Sequence, residues 1–531
     1  MVSGVSRPRP AAGASIARAA VGMGVATAAS RLIGFGRVLV VAAVLGASAL
    51  GDAFQSANSF SNVVFELVAA GALSAVLVPT FTNLVDRGDR VEAERLAGGR
   101  LWLAVVGLGA VAVVGVAAAP LIARLITAGA PGADVVEQLA LVEYLLRWFV
   151  PQVVFYAFGA IATAALYATR RFAITSLAPI GNTVVMVGCL AAFRLTAGPD
   201  PGFDLGGGER AILGLAGTGG VLAFVAVLVI AARRAGFRLR PRRVARGDGA
   251  FRALVGHSIW GVLLHSIAGL LLGAAIVAGA TVTGGVVAYQ SAFVLFLAPY
   301  AILAQPLHSA VLPELARLAA RGASDEVAAA TRWSLAAMAK LVLPVGAIVV
   351  ATATPALSVV QVGALDERGT ELVAAALMGL AVGLLPYGAF LLFARASYAL
   401  GDSRTPALVA IGAGITGVVI MAVVAAAVDG RARVVGLGLG HSAAYLVGAI
   451  ALGSILARRL HGPLVDLDVG RALLAAAVAG LVAWQIARLI DDTRLGTAVG
   501  TAMAGFIGVV AYLAAMMLLG ARVALRPGRP E

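Results

Sequence analysis

Four ionisable side chains lie within the first two apolar segments of the chain. They are Arg31 and Arg37 in the motif SRLIGFGR (30–37), and Asp52 and Glu66 in the segment that follows. An ionisable group in the hydrocarbon of a bilayer costs about 2.5–3.5 kcal/mol on insertion scales, so it faces a wet cavity or a partner. Guanidinium groups bind diphosphates and carboxylates through paired hydrogen bonds. These residues therefore predict a polar, anion-binding cavity inside a membrane protein.

Simpler interpretations of the same four residues stay open. The long side chain of Arg37 could extend to the outer interface, and Arg31 could pair with Glu66 or Asp52. Asp52 opens the second apolar segment, where the N-terminus of a helix stabilises a carboxylate. In that interpretation Asp52 caps its own helix and needs no functional role.

The other titratable residues carry weaker signals. Glu143 and Arg147 are spaced i, i+4 and are predicted to pair on one helix face. Four histidines in apolar segments could relay protons or simply form hydrogen bonds between helices: His257, His265, His308 and His441. They are too scattered to predict a metal site, and no nucleotide-binding or hydrolase motif is present. We therefore expect no cofactor, no metal and no enzymatic activity.

The composition indicates an all-α polytopic membrane protein. Hydrophobic residues make up 61% of the chain and charged residues 12%, and the mean hydropathy is +0.97. Soluble domains carry roughly a quarter charged residues, and apolar runs of about 20 residues span a bilayer as helices. Fourteen spans are predicted: 17–45, 53–79, 101–126, 136–166, 172–196, 211–232, 251–279, 283–312, 331–353, 371–397, 405–428, 434–457, 470–490 and 497–521.

The arginines are distributed unevenly between the two sides of the predicted membrane. With the N-terminus inside, the inner segments hold 28 arginines and the outer segments hold eight. Positive residues are retained in cytoplasmic loops, so both termini are predicted to be cytoplasmic. The same rule explains the net charge of +14 without a nucleic-acid partner. The basic loop 233–252 is expected to anchor the topology and to contact anionic membrane lipids.

The sequence repeats itself in its second half. Val78-Pro79 and Leu312-Pro313 are 234 residues apart, and each pair leads into an Arg-Gly dipeptide at the same inner corner. The repeat predicts two parallel six-helix lobes around a central cavity, with the substrate between them and transport by alternating access. The predicted organisation is a cytoplasmic tail (1–16), an N-lobe (17–232), a basic linker (233–252), a C-lobe (253–457), two further spans (458–521) and a second cytoplasmic tail (522–531).

Several motifs resemble the MurJ (MviN) family of lipid II flippases, within the multidrug/oligosaccharidyl-lipid/polysaccharide exporter superfamily. The motifs are SRLIGFGR (30–37), GDAF (51–54), GALSAVLVP (71–79), LYATRRFAITSLAPIGN (166–182), VLPELARLAARG (311–322) and SYALGDSRTPALVAIG (397–412). The single residue Asn62 also matches the family. The resemblance covers nearly the whole chain. The chain departs from the family at four places. Ser61-Asn62 replaces a Pro-Asn pair, Phe65-Glu66 replaces an Arg-Arg pair, Ala70 replaces an acidic residue and Val294 replaces an arginine. This pattern is similar to that of divergent actinobacterial members of the family.

The resemblance implies fourteen helices around a central cavity and transfer of a lipid-linked peptidoglycan precursor, lipid II, to the outer leaflet of the bacterial cell membrane. The essential cationic positions of the family match Arg31 and Arg37, and its aspartate of the second span matches Asp52. With Asn62 and Glu66 these residues form the predicted substrate-binding set, in which the arginines hold the diphosphate and the two acids set the field of the cavity. The membrane potential would supply energy, and the cell-wall synthesis machinery is a possible partner.

Other hypotheses remain beside the flippase. The chain could export another lipid-linked glycan or exchange drugs for cations, as other members of the superfamily do. An antiporter would need buried acids with access to protons or sodium, and the cations of the first span outnumber them. A degenerate homologue acting as a scaffold for cell-wall enzymes is the non-transport hypothesis.

Overall fold

The computed structural model describes residues 33–34, 36–65, 71–243, 249–489 and 493–520, and within them the chain forms helices and no β-strand. The first half contains α1 (Gly36–Leu45), α2 (Ala49–Phe65), α3 (Gly71–Asp86), α4 (Arg90–Ala117), α5 (Ala119–Ile126), α6 (Val135–Phe149), α7 (Gln152–Ala168), α8 (Phe172–Leu177), α9 (Pro179–Ala197) and α10 (Gly207–Arg234). The second half contains α11 (Gly249–Gly279), α12 (Gly285–Pro299), a π-helical turn (Tyr300–Ala304), α13 (Gln305–Ala320), α14 (Ser324–Ser358), α15 (Glu367–Ala381), α16 (Leu384–Ala399), α17 (Arg404–Ala427) and α18 (Gly430–Arg459). Helices α19 (Leu467–Ala487) and α20 (Arg494–Leu518) follow.

The helices confirm the prediction of an all-α polytopic membrane protein. Ten described helical segments are long and apolar enough to cross a membrane, and an eleventh is added if the bent pair α15–α16 is one span. The number fourteen stays a prediction. Several helices extend beyond their predicted apolar spans, because their first and last turns contain polar residues that lie outside the apolar run. Helix α14, for example, covers Ser324–Ser358 where the apolar run predicts 331–353.

Proline residues divide several of the long helical segments. Pro120, Pro151, Pro179 and Pro306 lie at or next to the first residue of α5, α7, α9 and α13 respectively. Proline has no N–H to donate and its ring clashes with the preceding helical turn, so it is best tolerated in the first turn of a helix. Pro313, Pro344 and Pro355 nevertheless lie inside α13 and α14 without ending them. The four prolines at helix starts therefore mark where α5, α7, α9 and α13 begin.

The bend between α15 and α16 has a different cause. The two helices meet at an angle of 46°. The hydroxyl of Ser442 in α18 donates to the carbonyl of Gly379 at 2.7 Å and lies 3.2 Å from that of Leu380. A side chain that bonds to helix carbonyls of a neighbouring helix compensates for hydrogen bonds lost at a bend. Gly383 leaves room for this serine, since a Cβ there would lie 2.4 Å from its Oγ.

The buried apolar side chains form three clusters. One is built mainly by α1–α10, a second by α11–α18, and a small third cluster joins α19 and α20 to α14. The third is reinforced by Lys340 of α14, whose Nζ lies 2.6 Å from the carboxylate of Asp468 at the start of α19. These clusters support two lobes with an appended helix pair, while the exact lobe boundaries stay a prediction.

The helix connections lie on two faces of the bundle. On one face, which we call the junction face, Ala364 N–H donates to the carbonyl of Ala43 at 2.7 Å, and Arg433 donates to the hydroxyl of Thr281 at 2.6 Å. The opposite, basic face contains the arginine-rich segment 236–243, whose Arg242 N–H donates to Gly98 of α4 at 2.9 Å. Helix α11 leads from the basic face to the junction face.

Candidate functional site

Asp52 connects the two halves of the protein. It lies in the first turn of α2 with 1% of its surface exposed. Its carboxylate accepts backbone N–H hydrogen bonds from Gly284 at 2.6 Å, Val286 at 3.0 Å and Val287 at 3.0 Å. Unpaired N–H groups at the start of a helix attract a negative charge. Asp52 therefore caps α12, a helix more than 230 residues away in the sequence.

The interpretation that Asp52 caps its own helix is wrong. The start of α2 is capped by Ser48, whose Oγ accepts from the N–H of Gly51 at 3.1 Å. The carboxylate is instead directed to α12, which can approach because Gly284 has no side chain. Gly284 has a φ of +84°, and a Cβ there would lie 2.2 Å from the carbonyl oxygen of Ala47. Position 284 thus requires glycine on grounds of both backbone conformation and space.

A second polar contact lies further along the same two helices. The side-chain amide of Gln290 donates to the hydroxyl of Ser59 at 3.0 Å. Asp52 and Val286 are 234 residues apart, which is also the spacing of the internal repeat. Equivalent helices of the two halves therefore meet here, as they do beside an axis that relates two parallel repeats. We call this contact region, formed by Asp52, Ser59, residues 284–287 and Gln290, the α2–α12 junction.

Arg37 lies in α1 and contacts a different helix. The side chain is half-buried, and its Nη1 lies 3.4 Å from the Oδ1 of Asn182 in α9. It also lies close enough to Tyr156 of α7 to interact with it electrostatically. Asn182 in turn rests on α10, because a Cβ at Gly220 would lie 2.7 Å from its Oδ1. The guanidinium thus faces side chains of the first half, in contrast to an arginine that extends to the interface.

Asn62 belongs to the same group of polar residues. The hydroxyl of Tyr156 donates to the Oδ1 of Asn62 in α2 at 2.9 Å. Tyr156 therefore links Asn62 to the surroundings of Arg37. We call Arg37, Asn62, Tyr156 and Asn182 the polar cluster. It combines one guanidinium with two amides and a phenol, and these groups suit the oxygen atoms of an anionic headgroup.

The structure brings together only part of the predicted set. Arg37 and Asn62 share the polar cluster, whereas Asp52 lies in the α2–α12 junction; Arg31 and Glu66 lie outside the described residues. Tyr156 was missed by the sequence interpretation, and so was Asn182, although Asn182 ends one of the motifs noted above. A tyrosine in an apolar run is common, so Tyr156 gave no signal before its partner was known.

Two of the four histidines, His308 and His441, form hydrogen bonds within the second half. The Nδ1 of His441 lies 2.8 Å from the hydroxyl of Tyr289, between α18 and α12. The Nδ1 of His308 lies 3.1 Å from the hydroxyl of Tyr300, eight residues earlier in the chain. The predicted pair of Glu143 and Arg147 is confirmed as an ion pair on α6.

Comparison with known proteins agrees with this architecture. The family described as "Lipid II flippase MurJ" matches residues 41–495 of the chain. The probable lipid II flippase MurJ of Vibrio cholerae is 26% identical over 522 residues, which cover 94% of this chain and 95% of the relative. The lipid II flippase MurJ of Burkholderia cenocepacia is 26% identical over 393 residues, covering 73% and 74% of the two chains.

Solved structures share the fold at lower sequence identity. A lipid II flippase MurJ in an inward closed conformation superposes with a TM-score of 0.74 at 16% identity, covering 94% of this chain and 98% of that one. An inward-facing multidrug resistance transporter of the MATE family gives 0.61 at 14% identity, covering 81% and 94%. The polar cluster in the first half, the paired α2 and α12 and the family match over most of the chain lead to one conclusion: the chain belongs to the MurJ family of lipid II flippases.

Proposed function

We propose that this protein moves lipid II from the inner to the outer leaflet by alternating access, and that Arg37 binds the diphosphate of the lipid. The observation that carries the proposed site is the environment of Arg37. Its guanidinium is half-buried in the first half, and no carboxylate of the described residues forms an ion pair with it. A cation within a membrane protein requires a compensating partner, and an anionic substrate supplies one.

The polar cluster suits a diphosphate in chemical terms. The fork of a guanidinium donates two parallel hydrogen bonds to phosphate oxygens, and side-chain amides and phenols add weaker neutral donors. Asn62, Tyr156 and Asn182 surround Arg37 from α2, α7 and α9. Arg31, six residues before Arg37, is proposed to add a second positive charge, and Glu66 to balance the field of the two arginines.

The α2–α12 junction is proposed as the contact that closes the junction face. Asp52 binds three N–H groups of α12, and a hydrogen bond to a charged group contributes about 1.5–3 kcal/mol. Opening this face requires these bonds to break, so the junction stabilises the state in which lipid II cannot leave on this side. Release of the headgroup then follows separation of α2 from α12.

The orientation follows from the distribution of arginines. The basic face is placed in the cytoplasm, with both termini, and the junction face outside, in the bacterial inner or plasma membrane. The membrane potential supplies the energy, since one charge that crosses 100 mV gains about 2.3 kcal/mol. The lipid is translocated without chemical conversion, and the cell-wall synthesis machinery uses it on the outer side.

The experiment uses a bacterial strain whose own lipid II flippase is depleted. Expression of this protein is expected to restore growth and the fraction of lipid II that an enzyme added outside the cell can cleave. Arg37→Ala is expected to lower that fraction about ten-fold or more, since a bond to a charged group is lost. Arg37→Lys keeps the charge and loses the fork, so a smaller decrease is expected.

Arg124→Ala is the matched control, because Arg124 is an exposed arginine in the last turn of α5. It is expected to transport like the unchanged protein. Equal activity of Arg37→Ala and Arg124→Ala would contradict the proposed role of Arg37. Failure of the unchanged protein to restore outer lipid II would contradict the function itself, and export of a cationic dye in its place would favour a drug exporter.

A further inference from the structure

We infer that residues 359–366, which connect α14 to α15, form a strap that closes over the end of α1 and positions Arg37 for the diphosphate. Arg37 is the diphosphate-binding residue of the proposed function, on which this inference rests. The strap belongs to the second half of the chain, whereas α1 belongs to the first. Its contacts with α1 are separate from those of the α2–α12 junction.

The C-terminal end of α1 is completed by the backbone of the other half. The last four carbonyl groups of a helix have no partner within the helix. The carbonyl of Ala42 accepts from the N–H of Gly46 at 2.9 Å, within the first half. The carbonyl of Ala43 accepts instead from the N–H of Ala364 in the strap, at 2.7 Å. Since Asp52 caps α12 in the opposite direction, each half completes a helix end of the other.

Two glycines allow the strap and α1 to approach this closely. Gly363 has a φ of +64°, and a Cβ there would lie 2.3 Å from the carbonyl oxygen of Ala43. Gly46 has a φ of +69°, and a Cβ there would lie 2.8 Å from the carbonyl oxygen of Ala364. Glycine adopts this left-handed conformation at no steric cost, and it has no Cβ to clash. A methyl group at either position would therefore push the two backbones apart.

The side chains between the strap and α1 are incompletely packed. A cavity of about 200 Å³ is lined by aliphatic residues of these two segments, namely Leu39, Val40, Ala43, Val360, Val362 and Leu365. A second cavity, of about 30 Å³, lies between Leu39, Leu365 and Ser291 of α12. Atoms that face a void lose their dispersion contacts on that side. The strap can therefore separate from α1 without disrupting a closely packed core.

Arg37 and Ala43 belong to the same short helix. They are six residues apart, which is about 9 Å along the helix axis. Near its start α1 contacts the first half, where Nη1 of Arg37 lies 3.4 Å from the Oδ1 of Asn182. Near its end α1 contacts the second half through Ala43. The strap therefore fixes the helix that carries the guanidinium, and separation of the strap releases that helix and its arginine.

The first test measures closure of the strap in the purified full-length protein, in a neutral detergent and without ligand. Ser291→Cys in a Cys189→Ala background is the reporter, because Ser291 is 6% exposed and lines the cavity beneath the strap. Gly363→Ala is expected to raise the rate at which a polar thiol reagent modifies position 291 at least about ten-fold, since local opening governs such a rate.

Gly202→Ala is the matched control, because Gly202 also has a positive φ, of +56°, and a Cβ there would meet nothing within 4 Å. It is expected to leave position 291 protected. Leu365→Ala, which adds no clash and guards against misfolding of Gly363→Ala, is expected to raise the rate by a smaller factor, about three-fold. Protection of position 291 in both strap variants, or equal exposure in the control, would overturn the closing role of the strap.

The second test measures binding of geranylgeranyl diphosphate to the same purified variants, without the cysteine reporter. Gly363→Ala is expected to weaken binding about three-fold or more, because a guanidinium that is no longer positioned must be ordered by the ligand. In an Arg37→Ala background, Gly363→Ala is expected to cause no further loss, since the strap acts through Arg37.

Fully additive losses in the double variant, or unchanged binding in Gly363→Ala, would overturn the positioning role. A strap that merely stabilised the fold would weaken binding equally with and without Arg37, so the double variant separates the two roles. Failure of the unchanged protein to bind the diphosphate would contradict the proposed function instead. The thiol experiment contains no ligand and would still decide whether the strap closes over α1.

Discussion

The two halves of the protein share a helical plan but enclose different polar groups. The first half places Arg37 beside two amides and a phenol. At the centre of the second half, His441 is hydrogen-bonded to Tyr289 and surrounded by aromatic rings, with centroids 5.3 Å away for Phe293 and 5.1 Å for Tyr445. The polar cluster of the first half therefore contains a permanently charged guanidinium, whereas the centre of the second half is a core of aromatic rings.

The hydrogen bonds of His441 indicate that the centre of the second half carries no charge. Its Nε2 is buried without a hydrogen-bond partner. A protonated imidazole has two N–H donors, and the second would stay unpaired in apolar surroundings, which is costly. A neutral imidazole fits this position. We therefore expect the first half to bind the charged headgroup, and the second half to act as the rigid element against which it moves.

The largest effect is expected at the α2–α12 junction, where the two halves meet. Asp52→Ala leaves three N–H groups of α12 unpaired, and each buried unpaired group costs about 1–3 kcal/mol. The closed junction should therefore open, and outer lipid II should fall at least about a hundred-fold, since a few kcal/mol shifts a two-state equilibrium by this order. Asp52→Asn keeps an acceptor oxygen and should have a smaller effect.

The opening itself can be measured with a cysteine at position 59. In a Cys189→Ala background, Ser59→Cys should react with a membrane-impermeant thiol reagent added outside when Asp52 is alanine, and stay protected when Asp52 is intact. Asp89→Ala is the control, because Asp89 caps its own helix, α4, through the N–H of Glu92. Protection of Ser59→Cys in all three proteins would show that Asp52 does not close the junction face.

Local features of the structure were predictable from the sequence, and distant contacts were not. Apolar runs located the helices, and i, i+4 spacing predicted the pair of Glu143 and Arg147, because both signals depend on a few neighbouring residues. The position of Asp52 in the first turn of α2 was also predicted. The partner of Asp52 could not be predicted, because the N–H groups that it binds lie beyond position 280. Every residue except proline has a backbone N–H, so the residue type does not indicate which of them binds a carboxylate.

The contacts within the polar cluster could not be predicted from the sequence either. Arg37 and Asn62 were identified by residue type and by resemblance, but their relation depends on Tyr156, which lies 94 residues after Asn62. The repeat spacing of 234 residues did contain information about the α2–α12 junction. It shows which positions of the two halves are equivalent, and equivalent positions meet only where they lie beside the axis that relates the halves.

A matched pair of tyrosines tests the difference between the two halves. Tyr156→Phe and Tyr289→Phe each remove one hydroxyl that is hydrogen-bonded to a side chain, of Asn62 at 2.9 Å and of His441 at 2.8 Å. Tyr156→Phe is expected to lower transport about five- to ten-fold, since a lost hydrogen bond is equivalent to about 1 kcal/mol. Tyr289→Phe is expected to lower the thermal unfolding midpoint and to leave transport within about two-fold.

Transport by complementation and unfolding in detergent are measured on the same two variants. Each variant serves as the control for the other, because the chemical change is identical. A larger loss of transport in Tyr289→Phe than in Tyr156→Phe would reverse the assignment of the two halves and place the substrate contact in the aromatic core.

The smallest effect is expected at Asp402, outside the spans, in the connection between α16 and α17. Its carboxylate accepts from the N–H groups of Arg404 at 3.1 Å and Thr405 at 3.0 Å, and Arg459 lies 3.1 Å away. Burial alone would raise the pKa of Asp402, but these donors and the charge of Arg459 together lower it below its ordinary value. The carboxylate therefore stabilises the folded state at neutral pH, and this stabilisation is lost as the pH falls through the lowered pKa.

Asp402→Asn keeps an acceptor oxygen for the two N–H groups and removes the charge, so it is expected to cost about 0.3–1 kcal/mol at pH 7, as for a charge at a helix start or an exposed ion pair. The difference from the unchanged protein should persist at pH 5 and begin to shrink below about pH 4, where the carboxylate of the unfolded chain binds a proton, and it should vanish as the pH falls through the lowered pKa of the folded state. Thermal unfolding in detergent at several pH values measures it, with the exposed Asp200→Asn, in the connection between α9 and α10, as the control. A difference that stays constant down to pH 3 would show that the charge of Asp402 contributes nothing, and that only the acceptor geometry of its oxygens stabilises α17.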